Sequence, residues 1–239
     1  MRFSVVVPAH NEELLLPRGL AAIEAARRAH DAAVEVIVVA NRCTDSTADL
    51  ARGSGVVVVE HDARNLSAVR NAGAAVASGD VIVTIDADCV MAPATFREIE
   101  HRLGTGRFVG GGTKVLMERT SAGIRATLAL VEVVTFVTGL GGGMFWCRRD
   151  DFEAIGGFDE SLLLAEDLDF AQRLRKYGKR TGRRFTNLRT APIVASCRKF
   201  DRYGDWHMFR MALEGSEIRA AIRGTDTAWV DRYFFDFNN

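Results

Sequence analysis

Disulfide and zinc frameworks are missing from this sequence. Its four cysteines, Cys43, Cys89, Cys147 and Cys197, form no CxxC pair and have no histidine at zinc-finger spacing. Free thiols in a reducing compartment are expected. An excess of charge is missing too: Lys plus Arg and Asp plus Glu each total 31 in 239 residues, so bulk charge advertises no polyanionic partner and no nucleic acid is expected. An uninterrupted apolar run of membrane-spanning length is also lacking. Ala126 to Trp146 comes nearest, but Glu132, Gly139 and Gly141 to Gly143 break it, leaving a buried helix or one lying on a membrane surface. No charged n-region with a following h-region precedes the strand-like Phe3-Ser-Val-Val-Val7, so the expected location is cytoplasmic, with peripheral contact at the inner face of the membrane left open. No linker, repeat or low-complexity stretch divides the chain, and residues 1–239 are expected to form one domain.

What is present is a rhythm. Apolar, β-branched runs alternate with helical stretches: 3–7 then 14–30, 34–40 then 44–52, 56–60 then 66–77, 80–85 then 93–103. The alternation predicts βαβ units in an α/β fold, with a mostly parallel, doubly wound central sheet and helices on both faces. In such sheets ligands bind beyond the carboxyl ends of the strands, where the polar residues following each run gather. After residue 104 the pattern changes to a strand over 108–117, a helix over 124–138, a short strand over 144–147, and the turn Gly156-Gly157-Phe158-Asp159. A helix over 168–177 stopped by Gly178, an amphipathic helix over 205–223 and an aromatic tail over 229–237 complete the reading.

Several strand ends carry chemistry. Asp86-Ala87-Asp88 follows the run ending at Ile85; two carboxylates so placed can present hard oxygen ligands to Mg²⁺ or Mn²⁺, and equally suit a turn or a helix N-cap. The first strand runs into Pro8, His10, Asn11, Glu12 and Glu13, able to accept hydrogen bonds from a nucleotide or to start a helix. Asn41 to Thr47, with Asp45, follows another strand, and Asn65 to Gly73 contains Arg70, a candidate for phosphate or for orienting the carboxylates. Glu166 and Asp167 begin a helix, as dipole partners or as a catalytic pair. Gly142 and Gly143 permit close approach of a substrate to the backbone, and Trp146 either stacks on a ligand or fills the core. His207, on an amphipathic segment, is either a further Mn²⁺ ligand or structural.

Taken in order, five of these segments resemble glycosyltransferase family 2: Pro8-Ala-His-Asn11-Glu12, Thr44-Asp45-Ser-Thr47, Ala68-Val-Arg70-Asn71-Ala-Gly73, Asp86-Ala-Asp88, and Gly156-Gly-Phe-Asp159 leading to Glu166-Asp167. The resemblance implies a GT-A fold, a nucleoside-diphosphate sugar donor, a divalent cation (Mn²⁺ or Mg²⁺), a saccharide or lipid-linked acceptor, and inversion at the anomeric carbon. It makes residues 1–103 the nucleotide-sugar-binding half and 104–239 the acceptor-binding and catalytic half. Asp86 would face ribose and cation, Asp88 would bind the cation, and Asp167 would be the base. Pro8, His10, Glu12, Asn41, Asp45 and Arg70 would line the donor, and Gly142, Gly143, Trp146 and Glu166 the acceptor. Two departures stand out. Where many members carry two aspartates and a glycine, this chain has Ala40, Asn41, Arg42 and Cys43, so uridine is not implied. The segment Ser196 to Gly204 resembles a basic element of some soluble bacterial members, in which Arg198 or Lys199 would close over the diphosphate. A nucleotidyltransferase would instead need a glycine-rich basic loop after the first strand, and Pro8 to Glu12 is acidic and glycine-free. A non-catalytic sugar-nucleotide-binding protein would have no need of Asp86, Asp88 and Asp167 together.

Overall fold

The computed structural model describes residues 1–138, 142–163 and 165–207. The first half builds β1 (Arg2–Ala9), α1 (Leu16–His30), β2 (Ala33–Asn41), α2 (Thr47–Gly53), β3 (Val57–His61), α3 (Leu66–Ala75), β4 (Val81–Ile85), β5 (Cys89–Val90) and α4 (Thr95–Gly104). Then follow β6 (Phe108–Met117), α5 (Ala122–Thr138), β7 (Gly142–Arg148), α6 (Arg149–Ala154), α7 (Glu166–Arg180), β8 (Arg184–Ala195) and α8 (Arg198–Tyr203). The expected helix over 205–223 and the aromatic tail fall almost wholly outside the described residues.

All eight strands form one sheet in the order β3-β2-β1-β4-β7-β6-β8-β5. The parallel β3-β2-β1-β4 run is the doubly wound part read from the sequence. β7 enters antiparallel between β4 and β6, and β8 returns parallel to β6. One continuous sheet thereby joins the two halves of the chain through the β4–β7 pair.

Period-two alternation splits the core cleanly. Phe3, Val5 and Val7 of β1, Val81, Val83 and Ile85 of β4, and Met144 and Trp146 of β7 face α1 and α4, where Leu16, Ile23, Phe96, Ile99 and Leu103 close the layer. On the opposite face Val6, Ile37, Val39, Ile82, Phe145 and Cys147 meet Val69 of α3 and Phe170 and Leu174 of α7. α3 lies so near the sheet that a Cβ on Gly73 would stand 2.4 Å from Val6 Cγ1 and 2.8 Å from Val39 Cγ2. Glycine is required there by packing. Gly73→Ala should therefore lower the unfolding free energy by about 1–3 kcal/mol through overpacking, read as a lower urea midpoint at unchanged slope.

Candidate functional site

The carboxyl ends of β1, β2 and β4 share one rim, and the loops there are held in unusual conformations. Asn11, Arg42 and Ala165 adopt left-handed φ values of 50°, 51° and 62°, conformations that non-glycine residues keep only when their surroundings hold them. The β1–α1 and β2–α2 loops are laced together. Asn11 Oδ1 accepts from the Thr44 backbone N–H at 2.8 Å, Glu12 N–H donates to Thr47 Oγ1 at 2.7 Å, and Asp45 Oδ2 accepts from Glu13 N–H at 3.1 Å. Burial pushes the Asp45 carboxyl up, but hydrogen bonds from Thr47 and from the Glu13 backbone outweigh it and hold the group below its ordinary range. Asp45 therefore pins the loop. Pro8 is buried inside β1, paired with Val39, so of the opening motif His10 and Glu12 are the residues nearer the rim. His10 Nδ1 lies 2.7 Å from the Asn41 carbonyl oxygen; a carbonyl only accepts, so Nδ1 carries the proton. Asn41 itself is buried, and its Oδ1 has no hydrogen-bond partner among the described residues.

Arg70 is the hub of the site. It rises from α3 with its side chain 4% exposed and gathers three carboxylates from elements far apart in the chain. Nη2 donates to Asp86 Oδ1 at 3.0 Å, and Nη1 donates to Asp167 Oδ1 at 2.6 Å and Glu166 Oε1 at 3.1 Å. Its guanidinium carbon also sits 5.1 Å from the centre of the Phe158 ring, which stacks on Phe170 of α7 at 4.2 Å. The planar fork suits this task as a lysine would not. Burial pushes the Asp167 carboxyl up, Arg70 opposes it, and the charges of Glu166 and Asp86 add to the rise, leaving it at about 6.

The turn beneath the hub is clamped from both sides. Asn71 Oδ1 accepts from Phe158 N–H at 2.9 Å while its Nδ2 donates to Phe158 O at 2.9 Å. Asn65 caps α3 through Ala68 N–H at 3.2 Å and donates to Glu160 O at 2.6 Å. From α7, Arg173 donates to Ile155 O and Gly157 O at 2.8 and 2.7 Å. Sequence reasoning missed Asn65, Asn71 and Arg173 as positioning residues. The one available signal was the asparagine directly after Arg70.

On the other side of Asp86, the turn at 86–89 closes through Cys89 N–H to Asp86 O at 3.0 Å. α1 supports it at Gly19, whose absent side chain lets Ala87 O approach to 3.0 Å of the Cβ position. Burial and the charge of Asp86 push the Asp88 carboxyl up, the electrostatic mark of a place that favours a cation. Arg198 of α8 lies 3.6 Å from Asp88 Oδ2 and donates to Glu12 Oε1 at 2.7 Å. Lys199 beside it is drawn down by burial, against the opposing charges of Asp88, Asp86 and Glu12.

Two expected residues are placed elsewhere. Trp146 is fully buried in β7 and its indole N–H donates to Gly112 O at 3.1 Å, so it is a core residue with no face to offer a sugar. His207 packs edge-on to Phe200 at 4.7 Å, with Nδ1 2.9 Å from Gly204 O. Among the described residues no three His, Cys, Asp or Glu side chains converge as a metal-binding set, so His207 is not gathered with Asp86 and Asp88. At Gly143, φ 79°, a Cβ would stand 2.8 Å from Val115 Cγ2 and 3.0 Å from Ile193 Cδ1. Gly142 borders a cavity of about 250 Å³ between β6, α5 and β8, walled by Val115, Leu116, Leu128 and Val131. Register places this cavity near the rim: Gly142 lies two residues along β7 from Met144, which pairs with Ile85, the residue before Asp86.

Comparison with known proteins identifies the family and the fold. The family model for glycosyl transferase family 2 matches residues 4–156. The chain is 30% identical over 118 residues to the undecaprenyl-phosphate 4-deoxy-4-formamido-L-arabinose transferase of Pseudomonas paraeruginosa. That match covers 46% of this chain and 35% of the relative, so the chain spans about a third of that longer protein. Among solved structures, a mannosyltransferase from Pyrobaculum calidifontis in complex with GDP-Man and Mn²⁺ superposes at a TM-score of 0.65, with 21% identity over 89% of this chain and 64% of that one. Glucosyl-3-phosphoglycerate synthase from Mycobacterium tuberculosis, in complex with Mn²⁺, UDP and phosphoglyceric acid, superposes at 0.60, with 19% identity over 95% and 80%. The fold is the GT-A type of these neighbours. The chain belongs to glycosyl transferase family 2.

Proposed function

We propose that this chain is an inverting glycosyltransferase that moves a sugar from a nucleoside-diphosphate donor to a hydroxyl acceptor with the help of a divalent cation. One observation carries the reading: Arg70 holds Asp86, Glu166 and Asp167 together at the carboxyl end of the sheet, in a chain of this family. Asp167 is the base. A carboxyl raised to about 6 takes a proton from an alcohol more readily than an ordinary aspartate while remaining ionised at neutral pH. As it does so, the acceptor oxygen bonds to the anomeric carbon, and the bond from that carbon to the diphosphate breaks on the opposite face, the electron pair leaving with the diphosphate. Arg198 and Lys199, both near Asp88, would receive that charge. Asn41 Oδ1, buried and without a hydrogen-bond partner among the described residues, offers an acceptor to an N–H of the donor's base.

Asp86 and Asp88 fit a divalent cation: they are hard oxygen donors, and their mutual repulsion is relieved by positive charge. Bound there, the cation would stabilise the departing diphosphate. For the acceptor, a lipid-linked molecule fits better than a free saccharide. A cavity with an apolar wall of Val115, Leu116, Leu128 and Val131 and charged Lys114, Glu132 and Arg189 opens near the rim beside Gly142, α5 exposes Leu130, Val131 and Val133, and the Pseudomonas relative is named for an undecaprenyl phosphate. No helix among the described residues is long and apolar enough to cross a membrane.

Calorimetry against UDP-, GDP- and dTDP-sugars with and without Mn²⁺ tests the reading. One donor class is expected to bind, and only with the cation. Asp88→Asn should weaken Mn²⁺ by at least about tenfold, equivalent to about 1.4 kcal/mol. Binding of no donor, or equal binding after chelation, would overturn the proposal.

A further inference from the structure

Resting on the reading of Arg198 and Lys199 as the cations that meet the leaving diphosphate, we propose that Glu118 and Arg119, the two residues after β6, are positioning residues that set the affinity for the diphosphate by holding α8 against the Asp86–Asp88 turn. α8 is only six residues long, too short to keep its place by its own hydrogen bonds. Consecutive residues clasp it from both sides. At its start Glu118 Oε1 accepts from Cys197 N–H at 2.9 Å, while Glu118 Oε2 accepts from Arg18 Nη1 of α1 at 3.0 Å. The Cys197 N–H above all, and then Arg18, hold the Glu118 carboxyl below its ordinary range against the effect of burial. Towards its far end Arg119 Nε and Nη2 donate to Asp201 Oδ1 at 2.9 and 2.5 Å, and Nη2 donates to Asp205 Oδ1 at 2.8 Å.

Apolar packing alone does not fix α8. Cys197 and Phe200 rest on Ile124 of α5, beside Met117 and Leu128. Contacts of this kind are non-directional; they decide which face of α8 lies down and resist a small slide or tilt only weakly. The hydrogen bonds of Glu118 and Arg119 are directional and act at the two ends, so together they set where the helix stands. What they place is the basic pair. Ser196 N–H donates to Asp88 O at 3.2 Å, Arg198 Nη2 donates to Glu12 Oε1 at 2.7 Å and lies 3.6 Å from Asp88 Oδ2, and the charges of Asp88, Asp86 and Glu12 act on Lys199. A displacement of α8 by about 1 Å would carry both cations away from the diphosphate together. Glu118 and Arg119 act through α8, and the proposal asks neither to touch the donor.

The test is calorimetric titration of the whole chain with UDP, GDP and dTDP in Mn²⁺. Arg119→Ala should weaken the diphosphate that the wild type binds best by about three- to tenfold, the scale of losing partly exposed ion pairs, while the urea midpoint stays close to wild type. Arg119→Lys keeps the charge but not the fork that spans Asp201 and Asp205, and should fall between the two. A merely structural role would lower the affinity to the same extent whatever stands at position 198. A positioning role would not, so a double-mutant cycle separates them: added to Arg198→Ala, Arg119→Ala should cause at most about half the loss, on a logarithmic scale, that it causes in wild type. Undiminished affinity in Arg119→Ala, or full additivity with Arg198→Ala, overturns the inference while leaving the donor site intact. Wild-type affinity in Arg198→Ala removes the reading on which the inference rests, and a wild type that binds none of the three diphosphates removes both.

Discussion

Asp167→Asn should lower acceptor-dependent transfer by about 10²- to 10⁴-fold, the range for loss of a general base, while donor and Mn²⁺ binding stay within about twofold of wild type. Asparagine keeps the shape of the side chain, and its carbonyl oxygen can still accept the hydrogen bond that Arg70 Nη1 gives at 2.6 Å. What it cannot do is take a proton from an alcohol. The wild-type enzyme should also carry its acid limb in kcat/KM near pH 6, about two units above an ordinary aspartate, because below that value Asp167 holds a proton and cannot act as base. The sign for stability is opposite. A carboxyl whose pKa is raised on folding stabilises most below its unfolded pKa, and that contribution is lost as the pH rises from about 4 through about 6. Transfer by Asp167→Asn at the wild-type rate would show that another group removes the proton.

The parallel half of the fold was legible because its strands are buried on both faces, so that Val5 to Val7, Ile37 to Val39 and Val81 to Val83 read as unbroken apolar runs. β8 was not. It carries Arg184, Arg189 and Thr190 outward and includes Pro192, and its register against β6 shifts between Thr113 and Val115, so neither apolar continuity nor clean alternation marks it. α6 and α8, six residues each, are too short for a helical period to emerge. Trp146 shows a related ambiguity. In Met144-Phe-Trp-Cys147 every residue is apolar, so the pattern does not say which face each one takes; the structure settles it by pairing Trp146 with Val83 and turning the indole into the core. The site was legible as an ordered set of polar strand ends, but its wiring was not. Arg70 and Asp167 are 97 positions apart, and nothing local to either one announces the contact.

That contact also sets the last prediction, since Arg70 has both a structural and an electrostatic task. Arg70→Met would preserve much of the volume packed over Phe158 while leaving Asp86, Glu166 and Asp167 facing one another without a cation. Breaking a fully buried ion pair costs about 3–5 kcal/mol. Here the three carboxylates are 39%, 15% and 35% exposed, and water screens part of the loss, so a fall of about 2–4 kcal/mol in unfolding free energy is expected. Activity should drop by at least about 10²-fold, because Asp167, the proposed base, and the turn at Asp86 lose their common anchor. The pH profile isolates the electrostatic part. Burial raises the Asp167 carboxyl, and Arg70 is the main influence opposing it, so the residual activity of Arg70→Met should show an acid limb displaced above pH 6. Arg70→Lys keeps the charge but not the fork; its limb should move less and its stability should lie between the two. Urea denaturation and kcat/KM profiles of the three proteins measure both effects. An Arg70→Met variant with wild-type stability and an unmoved limb would mean that the three carboxylates are held by something other than this arginine.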